Sequence, residues 1–278
     1  MTDFNARPLM ISDTVAVWDV LCPGARRQES DEECATATHL VFPYRGAYVH
    51  HVGHAESVAE ANQVIFINED EPYRVSHPID GGDSTLSIGV SESTLFELAP
   101  REYFRRNGKA AFIRSSLRIG ADAQALAASL RHGLDRGAIE GLEAESLTIA
   151  LLRSALGYST SRAAVSGPGP GSRKLVDRAR LVLASDLSRR WTLAEIASEV
   201  GGSPVYLTQV FQQREGMPLY RYQLRLRLAR ALALLDDCDD LARLALDLGF
   251  SSHSHFTAAF RQAYGQTPSA FQRSARIR

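Results

Sequence analysis

WTLAEIASEVGGSPVYLTQVFQQREGMPL, residues 191–219, and LARLALDLGFSSHSHFTAAFRQAYGQTPS, residues 241–269, follow one plan. In each, a short Leu/Ala helix runs into a glycine turn. A serine then opens a second helix that carries phenylalanine, and another glycine closes the unit. Helix, tight turn and helix is the outline of a helix-turn-helix, whose second helix can enter the major groove of DNA. Two copies in one chain are a far more specific signal than one.

The residues explain the outline. Thr192 with Glu195 three positions on is a capping box for a helix over 193–200. Gly201 and Gly202 end that helix, because glycine takes the left-handed backbone such a turn needs. Ser203 can cap the next helix, with Pro204 at its tolerated first position. There Leu207, Val210 and Phe211 share a core face, while Val205, Thr208, Gln209 and Gln212 share another, suited to base edges together with Ser203. In the second copy Phe256, Ala259, Phe260 and Ala263 make the buried stripe. Ser252, His253, Ser254 and Thr257 are the matching candidates for base contact, with Ala258 and Arg261 on the same side. Between the copies, residues 218–235 read as one long helix with Leu224, Leu228, Ala231, Leu232 and Leu235 as its core stripe. A stiff helix holds the two reading helices at a fixed separation, about 34 Å if they enter successive grooves on one face.

Charge divides the same way. The 278 residues carry a net charge of −1, but residues 172–278 hold 16 Lys/Arg against 10 Asp/Glu, and residues 1–171 hold 15 against 22. A basic half beside an acidic half points to a polyanion partner for the former. Arg189, Arg190, Arg214, Arg221, Arg225 and Arg261 are the candidates for phosphate contact. No apolar run approaches the roughly 18 residues of a membrane span. The first ten residues lack a signal-peptide pattern, and three scattered cysteines make no disulfide framework, so a cytoplasmic setting is expected.

The break in composition falls at residues 159–172, rich in Gly, Pro and Ser, which read as a flexible linker between domains over 1–158 and 173–278. Residues 121–158 suggest two helices broken near Gly133 to Gly141. Their Leu147, Leu151, Leu152 and Leu156 stripe fits either a face packed on its own domain or a dimer seam. Residues 13–118 carry short β-favouring runs between turn residues, which argues for an antiparallel sandwich or barrel. Residues 68–72 (NEDEP) form a strand–turn–strand unit there. A small barrel can hold one ligand, and Arg45, Tyr48, His50, Tyr73 and His77 offer suitable chemistry for an effector.

His50, His51, His54 and His77 raise the possibility of a metal. Adjacent strand residues face opposite ways, which separates His50 from His51, and His50 and His54 lie about 13 Å apart along a strand unless the chain turns at Gly53. No metal or cofactor is expected from them. Cys22 and Cys34 read as packing residues more readily than as a redox pair.

Residues 172–273 also carry ordered motifs: Leu193–Ala194–x–Ile196–Ala197, Ser203 to Phe211, Arg227–Leu228–x–x–Ala231–x–x–Leu234–Leu235, Gly249–Phe250, Phe256–x–x–x–Phe260, and Thr267–Pro268–x–x–Phe271. In these the chain resembles the AraC/XylS family of bacterial transcription regulators. The resemblance implies an all-helical module of two helix-turn-helix units on a linker helix. It also implies a cupin-like effector and dimerisation domain ahead of it, so the fold class is α+β. Implied partners are double-stranded DNA, a small-molecule effector and RNA polymerase, with a homodimer possible and activation the commoner outcome. Where family members often place arginine on the reading faces, this chain has Gln209 and Ala258. Two other readings stay open: a cupin-type metal-dependent enzyme fused to a DNA-binding module, and a ligand-independent dimeric regulator.

Overall fold

The computed structural model describes residues 4–24, 27–106, 108–157 and 170–277, the side chains of 170 and 275–277 excepted. It divides into an N-terminal sheet domain and a C-terminal helical domain. Residues 159–169 of the expected linker lie outside the described residues, and its last three positions already belong to a helix.

The N-terminal domain runs β1 (Asn5–Ile11), β2 (Val15–Cys22), β3 (His39–Arg45), β4 (Tyr48–Val52), β5 (Ala55–Ala59), β6 (Gln63–Ile67), β7 (Arg74–Ser76), β8 (Asp83–Val90), α1 (Glu92–Leu98), β9 (Ser116–Arg118), α2 (Ala121–Asp135) and α3 (Gly141–Gly157). The first sheet has the order β1-β2-β8-β3-β6-β9 and the second β5-β4-β7, and all named pairs are antiparallel. The turn at 68–72 has a strand on each side, β6 and β7, as its composition suggests, but the two do not pair with each other. It carries the chain from the first sheet to the second, with Asp70 in the left-handed region at φ 56°. Gly46, between β3 and β4, is required: φ is +68° and a Cβ there would lie 1.9 Å from the Gly82 carbonyl oxygen.

Leu151, Leu152 and Leu156 of α3 are buried in one core with Val17, Leu40, Phe66 and Leu86 of the sheet. The leucine stripe therefore packs on its own domain. The break between the two helices falls within the expected span 133–141, α2 ending at Asp135 and α3 starting at Gly141. Ile139 occupies the space at Gly133, where a Cβ would meet its Cδ1 at 2.7 Å.

The C-terminal domain comprises α4 (Pro170–Ser185), α5 (Leu193–Val200), α6 (Pro204–Glu215), α7 (Leu219–Leu234), α8 (Leu241–Asp247), α9 (His253–Tyr264) and α10 (Pro268–Ile277). Both halves of the Thr192/Glu195 capping box are made, Gly201 closes α5 with φ 72°, and Ser203 caps α6 through the Tyr206 N–H. The long helix α7 has two apolar faces rather than the one its sequence suggests. Leu219, Tyr222 and Leu226 join α4, α5 and α6 in one core. Leu228, Ala231, Leu232 and Leu235 join Phe250, Phe256, Phe260 and Phe271 in another. Two helix pairs, α5–α6 and α8–α9, thus flank one helix.

The domains meet along a polar seam. Glu60, in the turn after β5, accepts from Arg180 of α4 and from the Tyr222 hydroxyl of α7, at 3.0 and 2.5 Å. Arg180 also donates to the Val58 carbonyl at 2.7 Å. Arg118 donates to the carbonyl and carboxylate of Glu215. Arg136 meets Asp236 at 2.6 Å, and Ala128 of α2 lies within the second helical core. No helix among the described residues is long and apolar enough to cross a membrane.

Candidate nucleic-acid interface and ligand cavity

On α6 the split between faces is sharp. Leu207, Val210 and Phe211 are buried, whereas Val205, Thr208, Gln209 and Gln212 are all exposed, Val205 at 78%. A valine so open on a well-capped helix has no packing role within the chain. Ser203 is exposed at the N-cap, and the Thr208 hydroxyl donates back to the Pro204 carbonyl at 2.9 Å. Tyr206 of α6 and Tyr220 of α7 are also open to solvent, 48% and 65% exposed. Neither is singled out in the sequence; a tyrosine's polar tip and wide face suit a surface contact.

On α9, Phe256, Ala259 and Phe260 are buried, and Ser252, His253, Ser254 and Ala258 are exposed. Thr257 is half-buried beside the His253 ring, 3.4 Å from its Nε2. Ser252 caps the helix through the His255 N–H at 3.1 Å. His255 packs edge-on to Phe250 and lies 3.0 Å from the Ser251 hydroxyl, which fixes its ring at the start of the helix.

The six candidate phosphate-binding arginines part company. Arg190, Arg221 and Arg261 are exposed. Arg189 is exposed but lies over the Trp191 ring and pairs with Glu195 at 2.7 Å. Arg214 turns inward to the Ser172 hydroxyl at 3.2 Å. Arg225 faces the N-terminal domain and donates to the Ile119 carbonyl at 2.7 Å, a contact that a local helix pattern does not reveal.

Arg227, which heads a helical motif in the sequence, has partners that the motif does not disclose. From α7 it donates to the carbonyls of Leu187 and Arg189, ahead of α5, and of Gly249, after α8, at 2.7, 2.9 and 3.0 Å. One guanidinium fork thereby ties together the loops that position both helix pairs. Gly249 must be glycine for this: its φ is +77°, and a Cβ would lie 2.3 Å from the Ser188 carbonyl oxygen.

A cavity of about 270 Å³ lies between the two sheets of the N-terminal domain, its wall mostly apolar with Trp18, Val20, Val41, Tyr48 and Tyr73. Of the five effector candidates, Tyr48, Tyr73 and His77 line it, and Arg45 and His50 do not. Arg45 is exposed and donates to the Gly81 carbonyl at 3.1 Å. His50 lies behind Tyr73, ring centroids 5.3 Å apart, with neither ring nitrogen hydrogen-bonded. Burial there pushes its pKa down to about 4. The four histidines do not converge: His51 bonds the Ser76 hydroxyl at 2.9 Å, His54 is exposed, and His77 bonds Asp83 at 2.6 Å.

Residues 196–274 match a family model described as a helix-turn-helix domain. The HTH-type transcriptional activator RhaR of Klebsiella pneumoniae is 30% identical over 56% of this chain and 56% of its own length. A DNA-binding transcriptional dual regulator from Escherichia coli K-12, known as a crystal structure, is 31% identical over 36% of this chain and 97% of that one, with a TM-score of 0.35. An AraC-type regulator structure from Chromobacterium violaceum is 29% identical over 38% of this chain and 96% of its own, with a TM-score of 0.36. The chain spans about half the length of the curated relatives it matches, 56% and 44% for two of them. The C-terminal domain therefore carries a helix-turn-helix domain, similar in sequence to those of these transcription regulators.

Proposed function

We propose that the chain is a sequence-specific DNA-binding regulator of transcription that answers to a small molecule held in its N-terminal domain. The observation that carries this reading is the exposed row Val205, Thr208, Gln209 and Gln212 on α6, within the matched segment. The pairs α5–α6 and α8–α9 are then two helix-turn-helix units, with α6 and α9 reading successive major grooves of one duplex face. Arg190, Arg221 and Arg261 supply phosphate contacts, and Gln209, in place of arginine, favours adenine over guanine.

The N-terminal domain is a cupin-like barrel whose cavity between the sheets takes the effector. A mostly apolar wall with a few buried polar groups is what small-ligand sites are made of. Tyr48 lines that cavity and pairs across the strands with Ala59, and the next residue is Glu60, on the seam. An effector that shifts β4 and β5 would therefore change how firmly α4 and α7 are held, and by that differential contact alter DNA affinity. Association as a homodimer, contact with RNA polymerase and a cytoplasmic location complete the reading.

The test is selection of bound fragments from a random DNA pool by the full chain, with and without a metabolite library. The expected result is a motif of two blocks about one helical turn apart, with an effector-dependent yield. Failure to enrich any sequence over non-specific binding would refute it.

A further inference from the structure

The cavity holds a cluster that the DNA-binding reading does not use. Strands β2 and β8 pair so that Cys22 stands directly across from Asp83. Directly opposed residues carry their side chains on one face, with Cβ atoms about 5 Å apart. Thiol and carboxylate accordingly both line the cavity, and His77 completes the group. One donor atom from each of the three lies within 4.8 Å of the other two. His77 and Asp83 are 4% and 5% exposed, and no Lys or Arg is among the described lining residues. The backbone is built tightly around them: a Cβ on Gly82 would lie 2.2 Å from the Cys22 carbonyl oxygen, and one on Gly24 would lie 2.5 Å from Gly82 Cα.

We propose that Cys22, His77 and Asp83 form a binding site for a divalent transition-metal ion of the zinc class. The donors are one soft thiolate, one imidazole and one carboxylate, a set that suits zinc and excludes the hard, oxygen-seeking calcium and magnesium. With the thiol proton released to solvent, thiolate and carboxylate together neutralise a doubly charged ion, which matters in a cavity wall without a cationic side chain. Ligand bonds of about 2.0–2.3 Å in a tetrahedron put donor atoms about 3.5 Å apart. Binding therefore sets the three donors at that spacing and opens the 2.6 Å His77–Asp83 hydrogen bond. Three protein donors leave a fourth position facing the cavity, open to water or to a coordinating group of a ligand. The site stands whether or not the cavity also takes an organic effector.

The test is titration of the full chain, stripped with a chelator under reducing conditions, with Co²⁺ as a spectroscopic substitute for zinc. The expected result is one ion per chain, with visible ligand-field bands and a near-ultraviolet thiolate-to-cobalt charge-transfer band, both removed by excess Zn²⁺. Cys22→Ser should abolish the charge-transfer band and weaken binding more than about a hundredfold, beyond the loss typical of supporting residues alone. Cys34→Ser, Cys238→Ser and His50→Gln should change neither. Absence of the charge-transfer band from the unaltered chain at saturating Co²⁺ overturns the proposal. So does a band that persists in Cys22→Ser. A missing band in the unaltered chain overturns the proposal even if a variant misfolds.

Discussion

Arg180 of α4 reaches Glu60 of the N-terminal domain at 3.0 Å, and both side chains are buried, at 8% and 1% exposure. The Tyr222 hydroxyl closes the group on the same carboxylate oxygen at 2.5 Å. Two residues 120 positions apart thus share one dry contact on which the two domains meet.

Removing one partner of a buried pair leaves the other desolvated and unmatched, at a cost of about 3–5 kcal/mol. Glu60→Ala should lower the urea midpoint accordingly. Replacing the pair together, with Glu60→Leu and Arg180→Met, should cost less than the two single changes added. A double-mutant cycle reads this coupling directly, and strict additivity of the two effects would show that the pair does not act as a unit.

Base reading should rest on Gln209. Gln209→Ala should cost about 1–3 kcal/mol on the selected site and relax preference at one base pair. Competition against operators substituted one position at a time checks it. A loss equal for every sequence would remove Gln209 from the reading face.

Salt dependence should separate arginines that resemble one another in sequence. Arg190→Ala, Arg221→Ala and Arg261→Ala should each reduce the slope of log K against log salt by about 0.9 if each meets one phosphate. Arg225→Ala should leave that slope unchanged, because its guanidinium is held on the Ile119 carbonyl.

This contrast marks what the sequence discloses. Capping boxes, αL glycines and helical stripes are local, and α5 and α6 lie where Thr192, Gly201 and Ser203 place them. The partners of Arg225, Arg214 and Arg180 lie 106, 42 and 120 positions away, beyond the reach of periodicity. The cavity followed suit: Tyr48, Tyr73 and His77 were legible as candidates. Cys22 and Asp83 become neighbours only through the β2–β8 register.

Arg227 should govern spacing rather than base choice. Arg227→Ala removes the fork that holds the Leu187, Arg189 and Gly249 carbonyls, each bond to a charged group contributing about 1.5–3 kcal/mol in general. DNA binding should then lose its preference for half-sites one turn apart over sites with altered spacing. Unchanged discrimination between spacings would argue against this role.

Stability should fall in mild acid. Burial depresses the pKa of His50 and His132 to about 4, from an ordinary 6.5, and the Arg131 charge adds to the effect at His132. Both rings stay neutral in the fold, while the unfolded chain takes up protons below pH 6.5. Their contribution is therefore full above about pH 6.5 and declines toward pH 4, at up to about 1.4 kcal/mol per pH unit for each ring. Urea titrations at pH 7 and pH 5 should show the drop, and His50→Gln should flatten it. A pH-independent midpoint would contradict the assignment.

The Glu60 contact also bears on how freely such a protein can be recombined. A chimera that grafts residues 170–277 onto a foreign sensor keeps Arg180 and Tyr222 but discards the carboxylate they share. Unless the new host offers an acid at the same point of its surface, the graft must either bury an orphaned cation or leave the two halves undocked. The recognition half is therefore not an interchangeable cassette. The two domains are constrained to change together at this point, and on the proposed function exchanges that ignore it should yield chains that hold DNA yet no longer answer to an effector.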